Sequence, residues 1–258
     1  MNLDLTGKNA LVCGSTQGIG LASAKELALL GANVTLLARN KTSLEEAVAS
    51  LHREGNQTHS YLVADFADNQ QVKDVVAKNN RFHILVNNTG GPPGGKAIDA
   101  NPTEFLTAFS NHLINNQLLA QAIVPFMKSE GYGRIINIIS TSVKTPIRGL
   151  GVSNTTRGAV ASWAKTLATE LGEFGITVNN VLPGSTNTQR IWDIVENNAK
   201  KQGVSASEVE AKMKAEVPAS RFAEPYEIAA AVAFLASPAA AYINGINVPV
   251  DGGRTPTL

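Results

Sequence analysis

Short runs of Val, Ile and Leu recur along the chain at Asn9–Val12, Val34–Leu37, Ser60–Val63, Ile84–Val86, Ile135–Ile139, Ile176–Val181 and Ile246–Val250. Most are apolar at successive positions rather than at every second one, which is the pattern of a strand covered on both faces. Between them, apolar residues three and four apart predict helices over Gly18–Leu30, Ser43–Glu54, Asn69–Lys78, Thr103–Lys128, Ser153–Phe174 and Pro225–Leu235. Pro102-Thr103 and Glu224-Pro225 offer helix starts, and Gly31 and Gly175 offer stops. Seven strands interleaved with helices predict an α/β fold with a doubly wound parallel sheet, in one domain spanning 1–258. One stretch breaks the alternation. Ser185–Ala219 is polar, helical in pattern and rich in Lys, Glu and Asn. It reads either as a lid over a site beyond the strand ends or as a solvated pair of surface helices.

Composition narrows the class. At 258 residues, 43% hydrophobic and 17% charged, the chain carries enough apolar material for one large core. The net charge of +1, with no long basic run, gives no footprint for nucleic acid. Met1–Lys8 contains Asp4 and Lys8 and leads straight into the first strand, and no apolar stretch reaches spanning length, so neither a leader nor a membrane segment is expected. A cytoplasmic protein acting on a small molecule is the expectation. The one cysteine, Cys13, reads as a core residue at a strand end, and no metal site is implied.

The first strand runs directly into Cys13-Gly14-Ser15-Thr16-Gln17-Gly18-Ile19-Gly20. A glycine-rich turn between a buried strand and a helix suits a dinucleotide. One glycine permits the turn, one lets the backbone approach phosphate, and one lets helix and strand pack closely. The helix then presents free N–H groups and its positive end to the anion. Gly14, Ser15, Thr16, Gly18, Ile19 and Gly20 are therefore candidates to hold a pyrophosphate.

With these features the chain resembles the short-chain dehydrogenase/reductase family, and in particular its 3-oxoacyl-acyl-carrier-protein reductases, from Leu5-Thr6-Gly7-Lys8 to Val250-Asp251-Gly252-Gly253. The resemblance implies that Asp65, with Phe66, contacts the adenine. It makes Asn87-Asn88-Thr89-Gly90 the counterpart of an Asn-Asn-Ala-Gly element, which puts Asn88 and Gly90 at the cofactor. It also places Pro183-Gly184-Ser185-Thr186-Asn187-Thr188 over the nicotinamide, with Pro183, Gly184, Thr186 and Thr188 in contact. NAD-dependent members tend to carry an acidic residue where Ala38 stands. Here Arg39 follows instead, so a charge-assisted pair with a 2′-phosphate is expected and NADP(H) is favoured over NAD(H). The plain alternative is a surface arginine at a strand end.

The catalytic positions depart from the family. A serine after the fifth strand, a tyrosine thirteen residues later and a lysine four beyond it are usual; here they are Ser140, Ser153 and Arg157. His112 stands where the family has an asparagine, with Asn111 one residue away. Tyrosine suits proton donation because its pKa of about 10 can be lowered by a neighbouring ammonium, whereas an aliphatic hydroxyl is a far weaker acid. Arg157 keeps the charge and can hold the nicotinamide ribose, but it is a poor proton relay. His112 offers either a substitute acid or a polar residue at a subunit interface. Ser140, Ser153, Arg157 and His112 are thus the candidate catalytic set.

Three loops expected to frame the substrate, Gly91–Ile98, Thr141–Arg157 and Gly184–Arg190, hold Lys96, Lys144, Arg148, Arg157 and Arg190 and no carboxylate. An anionic substrate is one reading, such as a carrier-bound acyl thioester or a carboxylated ketone; solubility or cofactor phosphates are the other. Two functions stay open: an NADP(H)-dependent carbonyl reductase, or an NADP(H)-binding protein with little or no turnover. The resemblance also implies a homodimer or homotetramer.

Overall fold

The computed structural model describes residues 1–257. Its centre is a seven-stranded, wholly parallel sheet in the order β3-β2-β1-β4-β5-β6-β7. In chain order, β1 (Asn9–Cys13) leads to α1 (Gly18–Leu29), β2 (Asn33–Ala38), α2 (Lys41–Ala49), β3 (Ser60–Val63), α3 (Asn69–Ala77) and β4 (Ile84–Asn87). Next come α4 (Pro102–Phe109), α5 (Asn115–Glu130), β5 (Gly133–Ile138), α6 (Gly151–Leu171) and β6 (Ile176–Pro183). Then follow α7 (Gln189–Gln202), α8 (Ala206–Ala215), α9 (Pro225–Ala236) and β7 (Asn247–Val250). This is the doubly wound Rossmann arrangement the alternation predicts.

Alternate residues of the apolar strands feed two separate cores, which is why the strands lack a polar face. Val12, Val86 and Ile136 pack with Leu27, Ile228 and Val232 on the α1/α9 side. Leu11, Leu85 and Ile135 pack with Val72, Leu119 and Ala164 on the α3/α5/α6 side. The chain winds one way from β1 to β3, then crosses back to place β4 on the other side of β1. That reversal opens a crevice beyond the carboxyl ends of β1 and β4, where ligands of such sheets bind.

Several boundaries differ from the sequence expectation for identifiable reasons. α2 starts at Lys41 rather than Ser43, because the Asn40 side chain caps it by accepting from the Ser43 amide at 3.0 Å, and it stops at Ala49. The helix expected over Thr103–Lys128 is two helices joined by a π-turn at Ser110–Ile114. Polar side chains hold that turn: Asn115 Nδ2 donates to the Phe66 carbonyl at 2.7 Å, and Asn69 Nδ2 donates to Asn115 Oδ1 at 2.6 Å. Wide turns of this kind are frequent at functional sites. α6 begins at Gly151 rather than Ser153, because the loop after β4 lies against its first turn. A Cβ on Gly151 would come within 2.4 Å of the Ala97 amide nitrogen.

The 185–219 insertion contains α7 and α8, which pair over a small core of their own made by Ile191, Val195, Ala199, Val209 and Phe222. Gly203, at φ +68°, ends α7, and a reciprocal Ser205–Glu208 cap starts α8. No helix among the described residues is long and apolar enough to cross a membrane.

Candidate active site

The loops after β1, β4 and β6 converge at the crevice, and the glycines account for how closely. A Cβ on Gly20 would lie 2.2 Å from the Gly14 carbonyl oxygen; one on Gly14 would lie 2.4 Å from the Asn88 carbonyl oxygen. Gly14 and Gly18 also adopt φ +56°, which a side chain would oppose. A Cβ on Gly18 would meet Thr188 Cγ2 at 3.2 Å, so the loop after β6 lies directly over the glycine turn. Asn88 closes the junction from the β4 side by donating to the carbonyls of Cys13 (3.3 Å) and Gly14 (3.1 Å).

These glycines pass the physical test for a pyrophosphate cradle. α1 begins at Gly18 with no side-chain cap from Gln17 and no acidic residue in its first turn. Its first N–H groups therefore lack a protein partner and sit at the positive end of the helix dipole. Ser15 plays a supporting part: it is buried, and its Oγ accepts from the Leu37 amide at 3.1 Å, tying the loop to β2. Thr16 is half-buried in the loop, while Ile19 packs against the α1/α9 core. Cys13 is fully buried and its thiol is pushed up to about 12, which makes it an inert core residue.

Arg39 stands exposed just after β2, and none of the ion pairs among the described residues engages it. At the end of β3, the Asp65 carboxylate accepts from the Ala67 amide at 3.0 Å, and Phe66 packs against the α3/α5/α6 core. Gly90 has no steric need to be glycine, since a Cβ there would meet nothing within 4 Å. Gly184 does, because a Cβ would lie 2.7 Å from Asp251 Cα, beside Pro183 at the end of β6. Thr186 Oγ1 donates to the Gly184 carbonyl at 3.1 Å and Thr188 Oγ1 to the Thr186 carbonyl at 3.3 Å, shaping the loop from within.

The four candidate catalytic residues lie on neighbouring elements, since α6 packs against both the π-turn and the short turn Thr141–Val143. Ser140 Oγ accepts from the Ser142 amide at 3.1 Å and caps the short turn Thr141–Val143. Ser153 and Arg157, one turn apart on α6, are both buried. Arg157 donates from Nη1 to the Ile138 carbonyl at 3.3 Å and from Nη2 to the Thr89 carbonyl at 3.5 Å. Burial, then the nearby Arg190 charge, push its pKa down to about 10. His112 sits buried in the π-turn with Nδ1 hydrogen-bonded to Thr89 Oγ1. Burial, then Arg157 and Arg190, push its pKa down to about 3. A ring so shifted is uncharged at neutral pH, which counts against a role as substitute acid.

Two features escaped sequence reasoning. Thr89 links Arg157 through its carbonyl to His112 through its hydroxyl; the signal was a threonine where the related element has alanine. The other is a ladder of buried amides. Asn87 donates to Asn137, Asn137 to Asn180 and Asn180 to Asn247, each at 2.8 Å, across four neighbouring strands. Only the register of the sheet reveals it.

Known proteins match this arrangement along nearly the whole chain. The family model for enoyl-(acyl carrier protein) reductase matches residues 14–255. Gluconate 5-dehydrogenase of Gluconobacter oxydans is 32% identical over 258 residues, covering 98% of this chain and 97% of that protein. The 2,3-dihydro-2,3-dihydroxybenzoate dehydrogenase of Bacillus subtilis is 31% identical over 256 residues, covering 97% of each. Among solved structures, L-sorbose reductase from Gluconobacter frateurii, complexed with NADPH and L-sorbose, aligns over 100% of both chains at 32% identity with a TM-score of 0.93. A variant of actinorhodin polyketide ketoreductase with NADPH aligns over 96% of this chain and 97% of that one, at 30% identity and a TM-score of 0.89. With its glycine turn, its β1/β4 crevice and these relatives, the chain belongs to the short-chain dehydrogenase/reductase family.

Proposed function

We propose that the chain is an NADP(H)-dependent oxidoreductase that reduces a carbonyl group. The observation that carries this reading is the glycine turn, whose missing Cβ atoms and uncapped helix start form an anion cradle at the β1/β4 reversal. Gly14, Gly18 and Gly20, with the loop amides of Ser15, Thr16 and Ile19, hold the pyrophosphate. Arg39 meets a 2′-phosphate, and the absence of an acidic residue at Ala38 removes the repulsion that would reject one. Asp65 and Phe66 face the adenine, Asn88 and Gly90 the central ribose. Pro183, Gly184, Thr186 and Thr188 cover the nicotinamide, and Arg157 holds its ribose. The solved relatives with NADPH support the same choice of cofactor. When bound, the reduced nicotinamide supplies a hydride.

The chain's own contribution to chemistry is electrostatic. Ser140 donates its hydroxyl hydrogen to the substrate oxygen, and Ser153 lines the same position without the acidity of a phenol. Arg157, itself buried, faces the negative charge that develops on that oxygen. With His112 neutral and Arg157 retaining its proton, the proton that completes the alcohol comes from water. α7 and α8, with a core separate from the sheet, form the lid over the substrate. Exposed Ile98, Leu106 and Ile114 mark a face for a second copy, giving a homodimer or homotetramer.

The substrate is a small or carrier-bound carbonyl compound with an anionic group, either a 3-oxoacyl thioester or a carboxylated ketone. Two relatives are named for carboxylates, gluconate and a dihydroxybenzoate, while L-sorbose is uncharged. A second reading rests on Ser153 and Arg157: an NADP(H)-binding protein without turnover. Titrating the purified protein with NADPH and NADH, then following cofactor oxidation against a carbonyl panel, separates them. Turnover by the unaltered protein supports the enzyme. Binding with turnover only in a Ser153→Tyr, Arg157→Lys variant supports the binding protein, and no NADPH binding ends both.

A further inference from the structure

The structure joins three loops into one rim at the reacting end of the crevice. The segment after β4 is held on one side by Arg190, whose Nη1 donates to the Gly91 carbonyl at 3.1 Å and Nη2 to the Pro92 carbonyl at 3.5 Å. On its other side, Gly95 N donates to the Gly149 carbonyl at 2.7 Å and Gly151 N to the Gly95 carbonyl at 2.9 Å. The rim so formed carries Lys96, Arg148 and Arg190, with Arg157 buried beneath it. None of these four has a carboxylate within ion-pair distance among the described residues. Asp193, one turn along α7 from Arg190, is the acidic group nearest in sequence; its carboxylate accepts from Gln189 Nε2 at 3.0 Å.

Cofactor phosphates do not account for Lys96 and Arg148. Their candidate partners, the glycine turn and Arg39, follow β1 and β2, whereas Lys96 and Arg148 follow β4 and β5, on the other side of the strand reversal; Arg190 follows β6, whose loop lies over the glycine turn. A dinucleotide crossing that reversal places its phosphates at the first set and its reacting ring at the second. The Arg157 guanidinium has carbonyl partners only, at 3.3 and 3.5 Å, so its hydrogen bonds are met in part and its charge is not. Arg190, exposed at the mouth, commits its two Nη atoms to the carbonyls of Gly91 and Pro92, which fixes the guanidinium plane and leaves its Nε edge to meet a carboxylate.

We infer that the substrate of this site carries a carboxylate close to its reacting carbonyl, and that Arg190 binds it at the mouth while Arg157 neutralises it from below. The inference rests on the proposed NADP(H) reading and narrows it to an oxo acid, in preference to a neutral ketone or a thioester. It also gives the missing phenol a context. An anion and two guanidiniums fix the orientation of the carbonyl, so that the site depends on placement and charge more than on a strong acid.

Oxalate, an inert dicarboxylate, is the probe, with its neutral isostere oxamide as control, at constant ionic strength and saturating NADPH. Oxalate is expected to bind saturably and raise the melting midpoint of the NADPH-loaded protein, and oxamide to do neither. Arg190→Gln should weaken oxalate about tenfold or more, as loss of a charge-assisted pair does, while NADPH affinity changes less than about twofold. Arg190→Lys keeps the charge without the guanidinium plane and should fall between; it also serves if the glutamine variant is unstable. Oxalate affinity that is unchanged in both variants would overturn the inference. So would oxalate that displaces NADPH instead of binding beside it, or inorganic phosphate that binds more tightly than oxalate. Failure of the unaltered protein to bind NADPH is a separate result, and it removes the proposed function itself.

Discussion

The two halves of the crevice differ in how tightly physics constrains them. On the β1/β2 side, backbone approaches backbone so closely that side chains are excluded: a Cβ at Gly20 would meet the Gly14 carbonyl at 2.2 Å. On the β4/β5/β6 side the fold accommodates the side chains of Ser153, Arg157, His112 and Thr89, packed and in part hydrogen-bonded. A cradle made of backbone tolerates little change without losing its shape. A site made of side chains can change its chemistry while the scaffold stays, so cofactor binding and catalysis are separable properties of one fold.

Breaking the first half should have the largest effect. Gly20→Val forces the Gly14 carbonyl and the start of α1 apart, and NADPH binding followed by fluorescence should fall by about a hundredfold or more, or the protein should fail to fold. Gly158→Ala, on α6 with open space around its Cβ and outside the proposed cofactor set, is the control and should leave NADPH affinity within about twofold. Equal damage by both would erase the contrast between the halves.

Restoring the second half should come next. Introducing Ser153→Tyr with Arg157→Lys places a phenol beside an ammonium, and general acid catalysis of this kind is typically worth about a hundredfold to ten-thousandfold. The check is kcat on a responsive carbonyl compound, with NADPH affinity measured alongside. A change confined to NADPH affinity would show that the two halves are not separable.

A smaller effect is expected at Arg39. Arg39→Ala removes a charge-assisted contact to a 2′-phosphate, so the preference for NADPH over NADH should fall by about tenfold to a hundredfold. Parallel titrations of the two cofactors measure it, and an unchanged ratio would return Arg39 to the role of a surface residue at a strand end.

The smallest effects concern pH. With His112 down to about 3 and Arg157 at about 10, neither group titrates between about pH 5 and 9, and kcat should be level across that window. A bell-shaped profile with a limb near 6.5 would restore His112 as an acid. Stability behaves otherwise. The folded-state pKa of His112 is depressed below its unfolded value, so the unfolded chain binds a proton that the folded chain does not. Stability from this group is present above about pH 6.5 and is lost as pH falls towards 3, at no more than about 1.4 kcal/mol per pH unit. Denaturant midpoints of His112→Asn against the unaltered chain should therefore converge on acidification.

Much of the cofactor half was legible because its determinants are local. The turn, its glycines and the adjoining strand and helix are contiguous, and their chemistry follows from the absence of side chains at fixed spacing. Gly14, Gly18 and Gly20 fall where the spacing puts them, and the alternation of apolar runs with helical periods gives the seven strands. The helix over Thr103–Lys128 was less legible. Its periodicity runs through the π-turn, and the contacts that widen it come from Asn69 and Phe66, far away in sequence.

By itself, then, the sequence determined the doubly wound sheet and the glycine turn, because each follows from residue type and short-range spacing. Only the tertiary structure decided that burial pushes the pKa of His112 down, that Thr89 joins it to Arg157, and that four asparagines align across the sheet. It also decided that Arg190, on α7 and 99 positions away from Gly91, clamps the loop after β4. Burial, field and register are properties of what packs around a residue, and no local pattern encodes them.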